Sequence, residues 1–118
     1  MSNPFNPGDD LIFQLESGFG LLRVLAVDGE GAGAVWHLLA YGEFFPDIES
    51  AEAALTRETP LPVLKPHMAL TNRAFERTPA ARLGNRPVTP DELVAFHDWL
   101  TTDRPVSDRS ALLMLGIR

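Results

Sequence analysis

The chain has 118 residues, no cysteine, 45% hydrophobic residues and a net charge of −6. Its length and composition predict one soluble domain with a hydrophobic core, and the absence of cysteine excludes disulfides and thiol chemistry. We expect a cytoplasmic protein without a membrane role, because no apolar run reaches the roughly 18 residues of a membrane helix and the N-terminus lacks a secretory signal.

The first third of the chain predicts an antiparallel β-structure. Apolar residues alternate in the first segment, and Gly18 and Gly20 suit a hairpin connection. The second segment is apolar on both faces apart from Arg23, which is typical of a central strand. The turn at 28–33 has three glycines but lacks the Lys-Ser/Thr pair and the helix of a phosphate loop. The predicted strands cover residues 11–15, 21–27 and 34–41.

The middle of the chain changes character after Pro46. Asp47 is a suitable N-cap for a helix over residues 48–55, which is rich in alanine and glutamate. The three prolines of residues 59–66 then restrict the chain to an edge segment. We expect further β-structure at residues 63–64 and 68–70, bent at Pro66, and around Phe75 and Leu83.

The C-terminal part predicts two helices. Thr89 and Glu92 form the signature of a capping box, so a helix is expected over residues 90–101. A second helix over residues 108–115 is expected between Ser107 and Gly116. This last helix is apolar nearly all round, so it must dock on its own domain or on a partner, and a homodimer through it is one such arrangement.

These elements predict an α+β fold. We expect one domain over residues 1–118, with a β-rich part at 7–88 and a helical part at 89–118. The β-rich part would be a small SH3-like, strongly bent antiparallel sheet or partial barrel of about five strands. The helices at 48–55, 90–101 and 108–115 are expected to pack on one side of it.

The residue types needed for catalysis or metal binding do not form a recognisable pattern. His37, His67 and His97 lack the spacing of metal ligands, and Ser17 lacks the sequence of a nucleophile elbow. The pair Asp9-Asp10 falls in a predicted turn, and Asp91-Glu92 suits a helix N-terminus. We therefore predict a protein that is not an enzyme and has no cofactor or metal.

Four arginines are the most conspicuous polar feature: Arg73, Arg77, Arg82 and Arg86. They are interpreted either as a solvated surface, paired in part with the acidic N-terminal half, or as a patch for an anionic protein partner. An acidic chain repels phosphate backbones, and only Phe75 is interleaved with these arginines, which argues against nucleic acid. Binding of RNA or DNA by residues 73–86 is kept as a second alternative.

Aromatic residues gather around the third predicted strand, and they include Phe19, Trp36, Tyr41, Phe44 and Phe45. Burial in the core explains Trp36. Phe44 and Phe45 are adjacent in an extended segment and must face opposite ways, so one of them is expected to line a groove. A module that binds a small ligand or a peptide through an aromatic groove near Trp36, Tyr41 and Phe45 is the first alternative function.

The opening of the chain resembles a known family. Gly8, Asp9, Phe13, Leu15, Gly18, Gly20, Val24 and Leu25 are similar in type and order to the start of the immunity protein twenty-six group. Asp10 is an apparent insertion against that pattern, and the resemblance covers the first 45 residues. It implies a bacterial protein that neutralises a cognate polymorphic toxin by binding, with no catalytic residue.

The leading prediction is therefore a non-enzymatic bacterial interaction protein of the immunity or antitoxin kind that masks a protein partner. The acids within residues 9–58 would form a face that suits a basic toxin. The residues expected to bind the partner are Trp36, Tyr41, Phe44, Phe45, Arg73, Arg77, Arg82 and Arg86.

Overall fold

A five-stranded antiparallel sheet forms the centre of the protein in the computed structural model, which describes residues 5–116. The strands are β1 (Asp9–Leu15), β2 (Gly18–Asp28), β3 (Val35–Tyr41), β4 (Val63–Thr71) and β5 (Ala80–Asn85). Their order in the sheet is β4-β3-β2-β1-β5. Since β4 and β5 are its two edges, the sheet is open. The predicted α+β class is confirmed.

The strands follow from the sequence pattern. β2 lies in the middle of the sheet, with β3 on one side and β1 on the other, which explains why it is apolar on both faces. β4 continues through Pro66 as one strand, as predicted. Its register against β3 shifts between Leu38 and Ala40, close to the proline, which cannot donate a ladder hydrogen bond.

The helices are short, and the sequence located the first one well. They are α1 (Ile48–Leu55), α2 (Asn72–Glu76), α3 (Val94–Leu100) and α4 (Ala111–Leu115). The Asp47 carboxylate accepts a hydrogen bond of 2.7 Å from the Ser50 N–H and begins α1 as predicted. None of the helices within residues 5–116 is both long and apolar enough to cross a lipid bilayer.

Two predictions about the second half of the chain are wrong. Phe75 lies in α2, because the Thr71 hydroxyl caps a helical turn there by accepting the Ala74 N–H. The predicted capping box does form, with the Thr89 N–H donating to Glu92 at 3.0 Å. However, α3 begins only at Val94, since tighter i→i+3 turns occupy residues 90–93.

The last helix is also shorter than predicted. Ser110 caps it by accepting the Leu113 N–H, and Gly116 ends it in the left-handed conformation. Ser107, the predicted cap, instead pairs with the backbone of β4: its N–H donates to Ala69, and its carbonyl accepts the Thr71 N–H. The segment before α4 therefore covers part of the outer edge of β4.

Apolar side chains cover both faces of the sheet, so the helices pack on two sides and the one-sided arrangement predicted above is wrong. On the first face, Trp36 and Phe75 stack at 4.5 Å, and α2 and α4 close that core. On the second face, α1 covers a core that includes Leu39 and Tyr41. The physical reason is that β1, β2 and β3 are buried on both faces, which requires cover on both sides.

α4 docks on its own domain. Ala111 is fully buried, and Leu112, Met114 and Leu115 pack against the first core. Leu113 remains 67% exposed. A homodimer through this helix stays a prediction, and Leu113 is the side chain of α4 most open to a second copy.

Candidate binding groove

A groove runs between α1 and α3 on the second face of the sheet, with β3 and β4 as its floor. It consists of two adjoining pockets of about 470 Å³ and about 370 Å³. The pockets share four residues: Leu39, Val63, Asp91 and Glu92. We call the larger one, which also contains Tyr41, Arg57 and Arg86, the arginine pocket. The smaller one, which also contains Val94, Ala95 and Asp98, is called the aspartate pocket.

The groove exposes apolar surface. Val63 on β4 is 48% exposed and Val94 on α3 is 55% exposed, although each lines the groove. Leu39 of β3, which is buried, lines both pockets together with Val63. Concave, mainly apolar pockets of several hundred Å³ with a few polar groups are typical of binding sites.

A buried ion network fixes the base of the groove. The Arg23 guanidinium, fully enclosed on β2, donates from Nε to Glu92 at 2.5 Å and from Nη1 to Asp10 at 3.3 Å. It also donates to the backbone carbonyls of Gly8, Arg86 and Pro87. One side chain of the central strand thus holds the segment that leads into α3.

Asp10 is shared between two arginines. Arg86 donates from Nε to Asp10 at 2.8 Å and from Nη2 to Asp10 at 3.0 Å, and Nη2 also donates to the Tyr41 hydroxyl at 3.2 Å. The hydrogen bond to Asp10 raises the pKa of Arg86, so its guanidinium stays charged. Burial raises the pKa of the Tyr41 phenol, which therefore remains a neutral partner. The position of Arg86 at the groove is fixed by these contacts.

A pair of histidines lies under α3. Nδ1 of His37 is 2.9 Å from Nε2 of His67, and Nε2 of His37 is 2.9 Å from an oxygen of Asp28. Phe96 and Trp99 of α3 pack against both imidazole rings. The strand pairing brings the two histidines together across β3 and β4, which the 30-residue spacing in the sequence did not reveal. Within residues 5–116, no group of three or more potential ligand side chains is arranged to hold a metal ion.

The aromatic residues predicted to form one groove are divided by the sheet. Tyr41 and Phe45 belong to the core on the groove side, whereas Trp36 belongs to the core on the opposite face. Phe44 is 44% exposed and lies outside both cores. The structure thus places only Tyr41 of this set at the groove, because residues 36 and 41 of one strand point to opposite faces.

The four predicted arginines also separate into two groups. Arg73 and Arg77 bind Asp108, through its side chain and its carbonyl oxygen respectively. Arg82 lies 3.9 Å from Asp9, and Arg86 binds Asp10. Each of the four arginines therefore contacts an aspartate of the same chain, and Arg86 is the one of the four that lines the groove.

The sequence interpretation missed the buried charges of the groove. Asp9 and Asp10, predicted to lie in a turn and on an acidic face, instead lie in β1 and are buried. The outer acids of α1, Glu49 and Glu52, are exposed as that interpretation requires. A signal for the network was present: Arg23 is a single charge in an apolar strand, and such a residue needs a buried partner.

Comparison with known proteins adds no relative. No protein-family model, curated protein or solved structure matches the chain. The resemblance of the first 45 residues to the immunity protein twenty-six group therefore stays a prediction. The functional argument rests on the chemistry of the groove itself.

Proposed function

We propose that the protein is a non-enzymatic bacterial interaction protein that holds an apolar segment of a protein partner in the groove between α1 and α3. The observation that supports this function is the half-exposed pair Val63 and Val94, which line the groove together with the buried Leu39. Burial of these apolar side chains by a partner removes them from water and makes a favourable contribution to the free energy of binding. The proposed compartment is the cytoplasm.

The groove is prepared for binding before a partner arrives. Glu92, two residues before α3, is held by Arg23, and Phe96 and Trp99 fix the helix on His37 and His67. A wall that is already ordered loses little conformational entropy on binding, which favours affinity. These contacts explain how so short a helix can serve as one side of a binding site.

The partner proposed first is a basic toxin masked by this protein. The net charge of −6 and the exposed acids of α1 favour association with a positively charged protein, because opposite charge speeds encounter. The resemblance of the chain opening to the immunity protein twenty-six group is the reason to test a toxin. We also propose that the bent sheet is SH3-like. Masking would be steric, with the partner segment enclosed in the groove.

The test is a pull-down with the tagged protein from a lysate of its host, treated with nuclease and read by mass spectrometry at low and high salt. The variant Val94→Gln removes apolar surface from the groove and introduces a residue with a higher helix propensity, so α3 should be preserved. Its matched control is Leu113→Gln, an exposed leucine of α4 on the opposite face. We expect one protein in near-stoichiometric amount with the wild type and the control, and at least a ten-fold loss with Val94→Gln.

Equal recovery with Val94→Gln would contradict binding in the groove. Recovery of a small molecule in place of a protein would favour the alternative of a ligand-binding module, for which the arginine pocket of about 470 Å³ is large enough.

A further inference from the structure

The geometry points to a partner segment with a defined charge order: an apolar centre, a cationic side chain in the aspartate pocket and an anionic group in the arginine pocket. This inference rests on the proposed function and adds the chemistry and direction of the occupant. It is carried by the charged residues that the two pockets do not share, which are Asp98 at one end of the groove and Arg57 and Arg86 at the other.

The aspartate pocket is acidic. Asp91 and Asp98 are exposed and line it, and neither carboxylate has an ion-pair partner among residues 5–116. The lining residues of this pocket include no lysine or arginine. A cationic side chain entering here would meet two carboxylates that no basic side chain within residues 5–116 pairs with, so it would be attracted rather than excluded.

The arginine pocket contains two arginines in addition to Asp91 and Glu92, which it shares with the aspartate pocket. Arg86 is oriented by Asp10 and Tyr41 through Nε and Nη2, whereas its Nη1 makes no hydrogen bond within the described chain. Its side chain is about half exposed, at 47%. A guanidinium whose plane is already fixed presents its remaining donors in one direction, which suits a carboxylate. Arg57, also at this pocket, forms an ion pair with Glu43 and is 46% exposed.

The middle of the groove calls for apolar residues. Leu39 and Val63 line both pockets, so an occupant can pass from one to the other over a continuous apolar surface. Glu92 is also common to both, but its two oxygens already accept hydrogen bonds from Arg23. Asp91 is the other shared acid and is exposed, so the two ends differ in charge through Asp98 in one pocket and through Arg57 and Arg86 in the other.

A displayed library of random heptapeptides, selected on the immobilised full-length protein, tests the inference. We expect enriched sequences with apolar residues in the centre, lysine or arginine on one side and aspartate, glutamate or the free carboxylate on the other. A synthetic peptide of the best sequence, labelled for fluorescence anisotropy, gives the Kd. A second peptide of the same composition with its charged residues exchanged should bind at least ten-fold more weakly.

Variants with altered charge test which pocket of the groove binds the cationic group of the peptide and which binds the anionic group. Asp98→Lys should weaken binding of the selected peptide at least ten-fold. A selection on immobilised Asp98→Lys protein should enrich acidic residues at the position where the wild type enriches basic ones. Glu52→Lys makes the same change of net charge on an exposed site of α1 outside the groove lining, and should change Kd less than two-fold. Arg57→Gln should weaken the peptide several-fold, whereas Arg109→Gln, exposed near α4, should not.

Two results would contradict different parts of the proposal. Peptides whose binding is lost in Val94→Gln but is unaffected by the exchanged charge order and by Asp98→Lys would overturn the inferred polarity and leave the groove intact as a binding site. A selection without enriched sequences, or one that Val94→Gln leaves unchanged, would count against the proposed function itself.

Discussion

Nδ1 of His37 lies 2.9 Å from Nε2 of His67, and both rings are covered by Phe96 and Trp99 of α3. One proton can bridge the two nitrogens, but two protons would place N–H groups against each other. The other nitrogen of His37, Nε2, lies 2.9 Å from a carboxylate oxygen of Asp28, which favours an N–H at Nε2 that donates to Asp28. The packing of α3, one wall of the proposed groove, therefore requires that the two imidazole rings stay uncharged.

The first prediction concerns pH. Burial, reinforced by the neighbouring His37, lowers the pKa of His67 from 6.5 to about 4, and burial lowers the pKa of His37 despite the opposing effect of Asp28. The unfolded chain binds more protons than the folded chain between these values, so this stabilisation is complete above about pH 6.5 and is lost as pH falls toward 4. We expect the free energy of unfolding to drop by about 1 kcal/mol from pH 7.5 to pH 5, after allowance for solvent screening.

Urea unfolding at the two pH values measures this change. His67→Phe should remove most of the decrease, whereas His97→Phe, at an exposed position of α3, should retain it. If His67→Phe kept the full pH dependence, the histidine pair would not be its source.

The second prediction concerns the ion network. Arg23→Met should lower the free energy of unfolding by about 3–5 kcal/mol, because Asp10 and Glu92 would lose a buried partner. Arg82→Met removes an arginine that is 53% exposed and should cost less than about 1 kcal/mol. Urea titration at pH 7 compares the two variants. Similar small losses for both would show that Arg23 does not hold the network.

The third prediction concerns a close contact in the β1–β2 hairpin. A Cβ atom at Gly20 would lie 2.5 Å from Cζ of Phe13, inside the first core. We expect Gly20→Ala to lower stability by about 1–3 kcal/mol through overpacking, and Phe13→Leu to relieve part of that loss in the double variant. Gly84→Ala, where a Cβ would meet no described atom within 4 Å, should be neutral or slightly stabilising. Additive losses in the double variant would rule out the contact as the cause.

The fourth prediction concerns Thr78. Its hydroxyl oxygen is buried and has no hydrogen-bond partner in the described structure. Thr78→Val keeps the shape and removes the unpaired polar atom, so thermal unfolding should show a gain of about 1 kcal/mol. Thr71→Val is the comparison, because that hydroxyl accepts the Ala74 N–H and donates to Asp108; it should lose about 1 kcal/mol. A loss with Thr78→Val would mean that its hydroxyl has a partner after all, such as a bound water.

Patterns of a few neighbouring residues correctly predicted the strands and helix ends that depend on local interactions. Alternating apolar residues located β1 and β3, Asp47 located the start of α1, and the Thr89–Glu92 capping box formed as expected. The start of α3 was missed because the capping signals also suit a tighter turn, and α2 was missed because its five residues hold too few apolar positions to show a helical period.

The sequence by itself determined the class of the fold, because strand alternation, turn glycines and helix caps act over a few residues. Only the tertiary structure decided which side chains meet. Arg23 reaches Glu92 across 69 residues, and His37 reaches His67 across 30, through strand order and register. The placement of Trp36 and Tyr41 on opposite faces, and of α1 and α3 around one groove, follows from the same pairing. Arg23 is buried by the sheet next to carboxylates that are far from it in the sequence, and a buried charge requires such partners. Which residues become partners depends on strand order and register, not on their spacing in the chain.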